Sequence, residues 1–201
     1  MKVDIQDVLF WMDAIRDSDD RYRTLESFWK GQVNSKVWLI DNLEKVLFLD
    51  KRHNIVIHGG WNGVLSSLLF NSNIDIKHIT SIDIDPICEK VAKTINRRQD
   101  LESRFSAITA DMCSYQYDAD IVINTSCEHI TQEQYNQWLK NVPKKSLVVI
   151  QSNDYRDLEE HVNCVDTLQE LEQKSNLKII FSDKLALQKY NRFMVIGYKN
   201  E

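Results

Sequence analysis

Three glycines fall within five residues of the stretch "NIVIHGGWNGVL", at Gly59, Gly60 and Gly63, between a short apolar run and a helical pattern. Glycine permits positive φ and a close approach of backbone to ligand, and the following helix start offers free N–H groups. Such a turn can therefore cradle a nucleotide, or can simply be tight. Asp83, at the end of "SIDID", stands twenty residues beyond Gly63. That is about where a doubly wound fold brings an acid to ribose hydroxyls. "ITADMCSY" then supplies Asp111, able to accept from an adenine amino group, and Met112, able to flank the ring.

A second set of reactive types follows two later apolar runs. Asn124, Thr125, Ser126, Cys127, Glu128 and His129 come after "DIVINT" begins its polar end, and Gln151, Ser152, Asn153, Asp154 and Tyr155 end "SLVVIQS" and its continuation. His129 has an unperturbed pKa suited to a general base, and Glu128 could orient it or meet a cationic substrate. Bracing the loop or capping the next helix is the alternative use of both. Asn124, Gln151 and Asn153 can bind substrate by hydrogen bonds or satisfy loop backbone. His161, in "HVNCV", can border the pocket from the side. Cys127, His129 and His161 are conceivable metal ligands, but no CxxC pair exists among Cys88, Cys113, Cys127 and Cys164, and no metal site is expected. His53 and His78 are expected on the surface.

The elements that must carry these residues read as α/β. Short apolar runs at "NIVIH", "HITSID", "FSAIT", "DIVINT", "SLVVIQS", "LKIIFS" and "RFMVIGY" predict seven strands. Helical patterns lie between them at "NGVLSSLLF", "PICEKVAKTINRR", "TQEQYNQWLKNV" and "CVDTLQELEQ". Asp85 and Pro86 form a cap and a first helical position. The last two strands have only a short polar link, which predicts an antiparallel hairpin. From Val3 to about Asp50 the apolar spacing predicts two or three helices. The expectation is one domain of residues 1–201: an N-terminal helical cap over 1–50, then a doubly wound, mostly parallel seven-stranded core over 51–201. Trp29, with Tyr22, Gln32 and Lys36, could line the cap.

The 201 residues carry a net charge of −5 and no long basic cluster, which disfavours nucleic acid as a partner. No stretch approaches the ~20 continuous apolar residues of a membrane span, and the acidic N-terminus does not read as an export signal. A cytoplasmic protein with reduced thiols is the expectation.

Together "NIVIHGGWNGVL", "SIDIDP", "TADM" and "DIVINTSCEHI", closed by the terminal hairpin, resemble the class I S-adenosylmethionine-dependent methyltransferases from about Asn54 to Lys199. The resemblance implies that Gly59, Gly60 and Gly63, with Trp61, lie under the methionine and ribose of S-adenosylmethionine; His58, inside the turn, can contact the cofactor carboxylate or a substrate, or equally serve as a satisfied structural histidine. It puts Asp83 on the ribose hydroxyls, Ile84 against the adenine, and Asp111 and Met112 around the base, with Asn124 at the next strand end. Ile57 stands where the family usually has an acid, and Trp61 replaces the central glycine. The implied activity is methyl transfer to a small molecule, with Glu128, His129 and Asn124 at the reaction and Gln151, Asn153, His161 and Trp29 around the acceptor. A lyase or cyclase of the same cofactor, a nicotinamide-dependent dehydrogenase and a non-catalytic binding protein are the alternatives, and a homo-oligomer joined through the N-terminal helices stays open.

Overall fold

A computed structural model describes residues 2–47 and 51–200. The N-terminal segment forms helices α1 (Ile5–Asp17), α2 (Arg21–Glu26) and α3 (Lys30–Val46). The end of the predicted helical stretch, Phe48 to Asp50, lies outside the described residues. The core then runs β1 (His53–His58), α4 (Val64–Phe70), β2 (Ile76–Asp83), α5 (Pro86–Ile95), α6 (Arg97–Leu101), β3 (Phe105–Thr109) and β4 (Ile121–Asn124). A single 3-10 turn (Cys127–His129) leads to α7 (Gln132–Asn141), β5 (Leu147–Asn153), α8 (Leu168–Ser175), β6 (Leu177–Ala186) and β7 (Asn191–Lys199).

The seven strands form one sheet in the order β3-β2-β1-β4-β5-β7-β6. Strands β1 to β5 pair in parallel, while β7 is antiparallel to both β5 and β6. The strand order reverses at β1 and β4, where His58 lies beside Asn124, and this is where an open α/β sheet leaves a crevice beyond its carboxyl ends. The predicted terminal hairpin is present. The antiparallel pairing of β7 with β5 sets Asn153 of β5 opposite Arg192 of β7.

Both faces of the sheet are covered, because successive strand residues point to opposite sides. Ile55, Ile57, Ile121 and Ile123 enter a core with Ala14 of α1, Leu39, Ile40 and Leu43 of α3, Leu65 and Leu69 of α4, and Val91 and Ile95 of α5. Val56, Val122, Val148 and Ile150 enter the other, with Tyr135, Trp138 and Leu139 of α7 and Leu171 of α8. The N-terminal helices thus complete one face of the sheet, and the early part of α3 borders the strand ends.

Local chemistry sets the element boundaries. Asp85 accepts from Ile87 N–H ahead of Pro86 at the start of α5, and Thr131 and Gln134 form a reciprocal capping box on α7. The predicted "PICEKVAKTINRR" helix is divided at Asn96, whose side chain is drawn onto the carbonyls of Gly63 and Ala92. The helix predicted from Cys164 starts only at Leu168, because Val165 N–H is taken by Asn153 O at 3.0 Å and Thr167 supplies the cap. His53, expected on the surface, is buried at the start of β1. No described helix is long and apolar enough to cross a membrane.

Candidate functional site

The glycine turn joins β1 to α4 and is bound directly to the end of β2. Gly59 and Gly63 have φ of +61° and +76°, the left-handed region that glycine adopts without a steric penalty. Gly60 is held by contact instead: a Cβ there would lie 2.0 Å from Ser81 Oγ. Trp61, in the central position, also has positive φ, at 48°, a conformation costing an L-residue about 1–2 kcal/mol. Its backbone N–H donates to Asp83 Oδ2 at 2.8 Å, while Asp83 Oδ1 accepts from Asp85 N–H at 3.0 Å. The Asp83 carboxylate is therefore fixed against the turn, and each oxygen retains a lone pair for a further donor.

Ile84, beside it, is 74% exposed. Asp111 is exposed after β3, with Oδ1 accepting from Cys113 N–H at 2.8 Å, and Met112 is half-buried, its Sδ 3.5 Å from Asn124 Nδ2. The structure thus brings Gly59–Gly63, Asp83, Ile84, Asp111 and Met112 to neighbouring carboxyl ends of β1, β2 and β3.

Two residues expected at this place are occupied elsewhere. The His58 ring is fully buried, 4.9 Å from the Tyr117 ring and 5.8 Å from that of Trp138, so it points into the core under the turn. Burial pushes its pKa down to about 3, leaving a neutral imidazole. Asn124 has no exposed surface; its Oδ1 accepts from Ser126 N–H at 3.0 Å and its amide meets Met112. It shapes the loop that carries Cys127–His129.

A second group lies at the ends of β4, β5 and β7. Glu128, turned inward by the 3-10 turn, is 3% exposed and forms a buried ion pair with Arg192, Nη1 to Oε1 at 2.5 Å. Asn153 Nδ2 donates to the same Oε1 at 2.7 Å, and Arg192 also donates to Thr125 O. Gln151 Oε1 accepts from Arg192 Nε at 3.3 Å and from Ser35 Oγ of α3 at 3.1 Å. Gln151 and Asn153, expected against substrate, are buried and brace this pair from below. Burial, aided by Arg192 and opposed by Glu128, pushes the Lys36 ammonium down to about 7.

An aromatic rim surrounds the pair. The Tyr190 ring lies 5.6 Å from Tyr155, Tyr155 lies 6.0 Å from His161, and His161 lies 4.7 Å from His129 in an edge-on arrangement. A Cβ at Gly31 would lie 3.6 Å from Trp29 Cδ1 and 3.7 Å from the Tyr190 hydroxyl, so the exposed Trp29, at the N-cap of α3, stands near Tyr190. His129 is exposed. Its imidazole pKa is lowered, chiefly by desolvation.

Arg192 and Tyr190 were missed in the sequence, and Tyr155 was singled out there only as one of the polar residues after the fifth strand. Arg192 opens a strand sixty-four residues after Glu128, and only the β5–β7 pairing brings the two together. The thiols are poor nucleophiles: burial raises the pKa of Cys127 and of Cys164.

No family model and no curated protein sequence matches the chain. Solved structures do. Magnesium protoporphyrin IX methyltransferase from Synechocystis PCC 6803, with bound SAH, superposes with a TM-score of 0.67 at 11% identity, over 97% of this chain and 94% of that one. A mutant of MtNAS in complex with S-adenosylmethionine gives 0.63 at 12%, over 96% and 72%. The mitomycin 7-O-methyltransferase MmcR gives 0.64 at 15%, over 94% and 60%. These likenesses show the fold, that of the class I methyltransferases.

Proposed function

We propose that this chain, which has the class I methyltransferase fold, binds S-adenosylmethionine at the carboxyl ends of β1, β2 and β3 and transfers its methyl group to a small molecule. The observation that carries the reading is the Asp83 carboxylate bonded to the Trp61 N–H of the glycine turn. Two segments that the sequence separates are thereby joined, with the exposed Ile84 beside them to meet a flat base. Asp111 and Met112 supply a polar and an apolar contact for the same base. The complexes of structurally similar proteins with SAH and S-adenosylmethionine support this cofactor.

A sulfonium already makes the methyl carbon electrophilic, so the protein chiefly has to align an acceptor with the S–CH3 bond and exclude water. The aromatic rim of Trp29, Tyr155 and Tyr190 suits a small, partly apolar acceptor. Glu128, His129 and His161 form the polar wall of the same space. The net charge of −5 argues for a metabolite over a polyanion.

The test is incubation of the purified chain with S-adenosylmethionine alone, with calorimetric titration and mass spectrometry of the nucleosides. Binding with intact cofactor is expected, followed by methyl transfer on screening metabolites. Release of methylthioadenosine without an acceptor would replace transfer by cofactor cleavage, and absence of binding would reduce the turn to a structural one. His129→Ala is expected to lower turnover while leaving cofactor affinity nearly intact.

A further inference from the structure

Glu128 presents an unresolved demand. Its Oε1 is occupied by Arg192 and Asn153, whereas Oε2 is buried and has no hydrogen-bond partner. A buried carboxylate oxygen without a donor has given up its water without a replacement, so it calls for an occupant. Two imidazoles stand beside the same carboxylate. One ligand atom each from Glu128, His129 and His161 lie within 4.8 Å of one another.

We infer that Glu128, His129 and His161 form a site for a divalent transition metal, with one carboxylate and two imidazole ligands and open positions toward the acceptor space. The nitrogen and oxygen donors suit zinc and its neighbours in the first transition row. Ligand atoms around zinc lie roughly 3.4 Å apart, given bonds of about 2.1 Å at tetrahedral angles, so the triangle has to contract by at most about 1.4 Å. The exposed His129 has the freedom to supply that movement.

The supporting shell is already built. His161 Nδ1 lies 2.5 Å from Tyr155 O; a carbonyl can only accept, so Nδ1 carries the proton and Nε2 keeps its lone pair for a metal. Asn163 N–H donates to Glu128 O at 3.0 Å, tying the loop that carries His161 to the turn that carries Glu128. Asn153 and Arg192 hold Oε1, which leaves Oε2 as the metal-facing oxygen. Cys127, the thiol expected to be a conceivable ligand, faces the other way, its Sγ 3.7 Å from Asn124 O.

Resting on the proposed methyl transfer, the site assigns the acceptor a class: a small molecule presenting an oxygen donor to the metal. On coordination its hydroxyl proton passes to solvent water. The oxygen lone pair then forms the C–O bond while the S–CH3 pair returns to sulfur, leaving a thioether.

The decisive experiment uses the full chain freed of metal by chelator, titrated with Co2+ under visible absorption, with Zn2+ as competitor. One Co2+ per chain with a ligand-field band is expected, displaced by one Zn2+. His129→Ala and His161→Ala, with circular dichroism as a folding control, should each weaken binding at least about tenfold. No stoichiometric binding to the unaltered chain, or affinity unchanged in both variants, would overturn the site. A parallel S-adenosylmethionine titration separates the two readings. Metal binding without cofactor binding would uphold the site and remove methyl transfer, and cofactor binding without metal would overturn the site while leaving the cofactor reading standing.

Discussion

His58 and Asp83 show how single residues divide between stability and binding. His58 is fully buried, neither ring nitrogen has a partner, and its pKa is pushed down to about 3. Below the ordinary value near 6.5 the unfolded chain takes up a proton that the folded one refuses. The stability present above about pH 6.5 is therefore lost as pH falls toward 3, at about 1.4 kcal/mol per pH unit for this one group. Urea unfolding between pH 7 and pH 4 should show a shallower loss in His58→Phe than in the unaltered chain; equal slopes would mean that the imidazole is solvated. Asp83→Ala should weaken S-adenosylmethionine by about 1–3 kcal/mol, roughly 5- to 150-fold, read by calorimetry on folded protein. Unchanged affinity would leave Asp83 only its bonds to Trp61 and Asp85. The position of Asp83 was legible because an acid ending the second strand is a matter of spacing. The direction of the His58 ring was not, because alternation along β1 depends on which face of the sheet α7 covers.

At the scale of elements, the turn between β1 and α4 depends on its glycines for two separate reasons, conformation and contact. Gly63 combines φ +76° with Ala92 Cβ and Cα at 2.9 and 3.1 Å from where its own Cβ would stand. Both problems arise in Gly63→Ala, since α5 packs backbone against the turn there. A loss exceeding about 1 kcal/mol is expected, beyond the gain that the same change gives at permissive sites. A thermal midpoint equal to that of the unaltered chain would show that α4 and α5 are not in close contact. The seven strands and most of the helices were readable from apolar runs and caps, because period and capping are local properties. The late start of α8 was not, since Val165 is held by Asn153, a partner from a different element.

The whole molecule is closed by a contact between the last strand and the loop after the fourth. Arg192 of β7 pairs with Glu128 while its remaining donors reach Gln151 and Thr125, and both charged side chains are nearly inaccessible. Arg192→Met would leave the Glu128 carboxylate buried without its counter-charge, a change worth about 3–5 kcal/mol. Equilibrium urea denaturation should register that loss, and a change under about 1 kcal/mol would mean that water reaches the pair. The sequence by itself determined the α/β class, the terminal hairpin, the glycine turn and the acid that ends β2 beside it, because those follow from periodicity, capping and fixed spacing along one stretch of chain. Only the tertiary structure decided that Gln151 and Asn153 brace an ion pair, that Arg192 belongs to the site, and that Glu128, His129 and His161 converge. Burial and convergence of side chains are set by which strands pair and which loops meet at their ends, and a one-dimensional pattern carries no record of those distances.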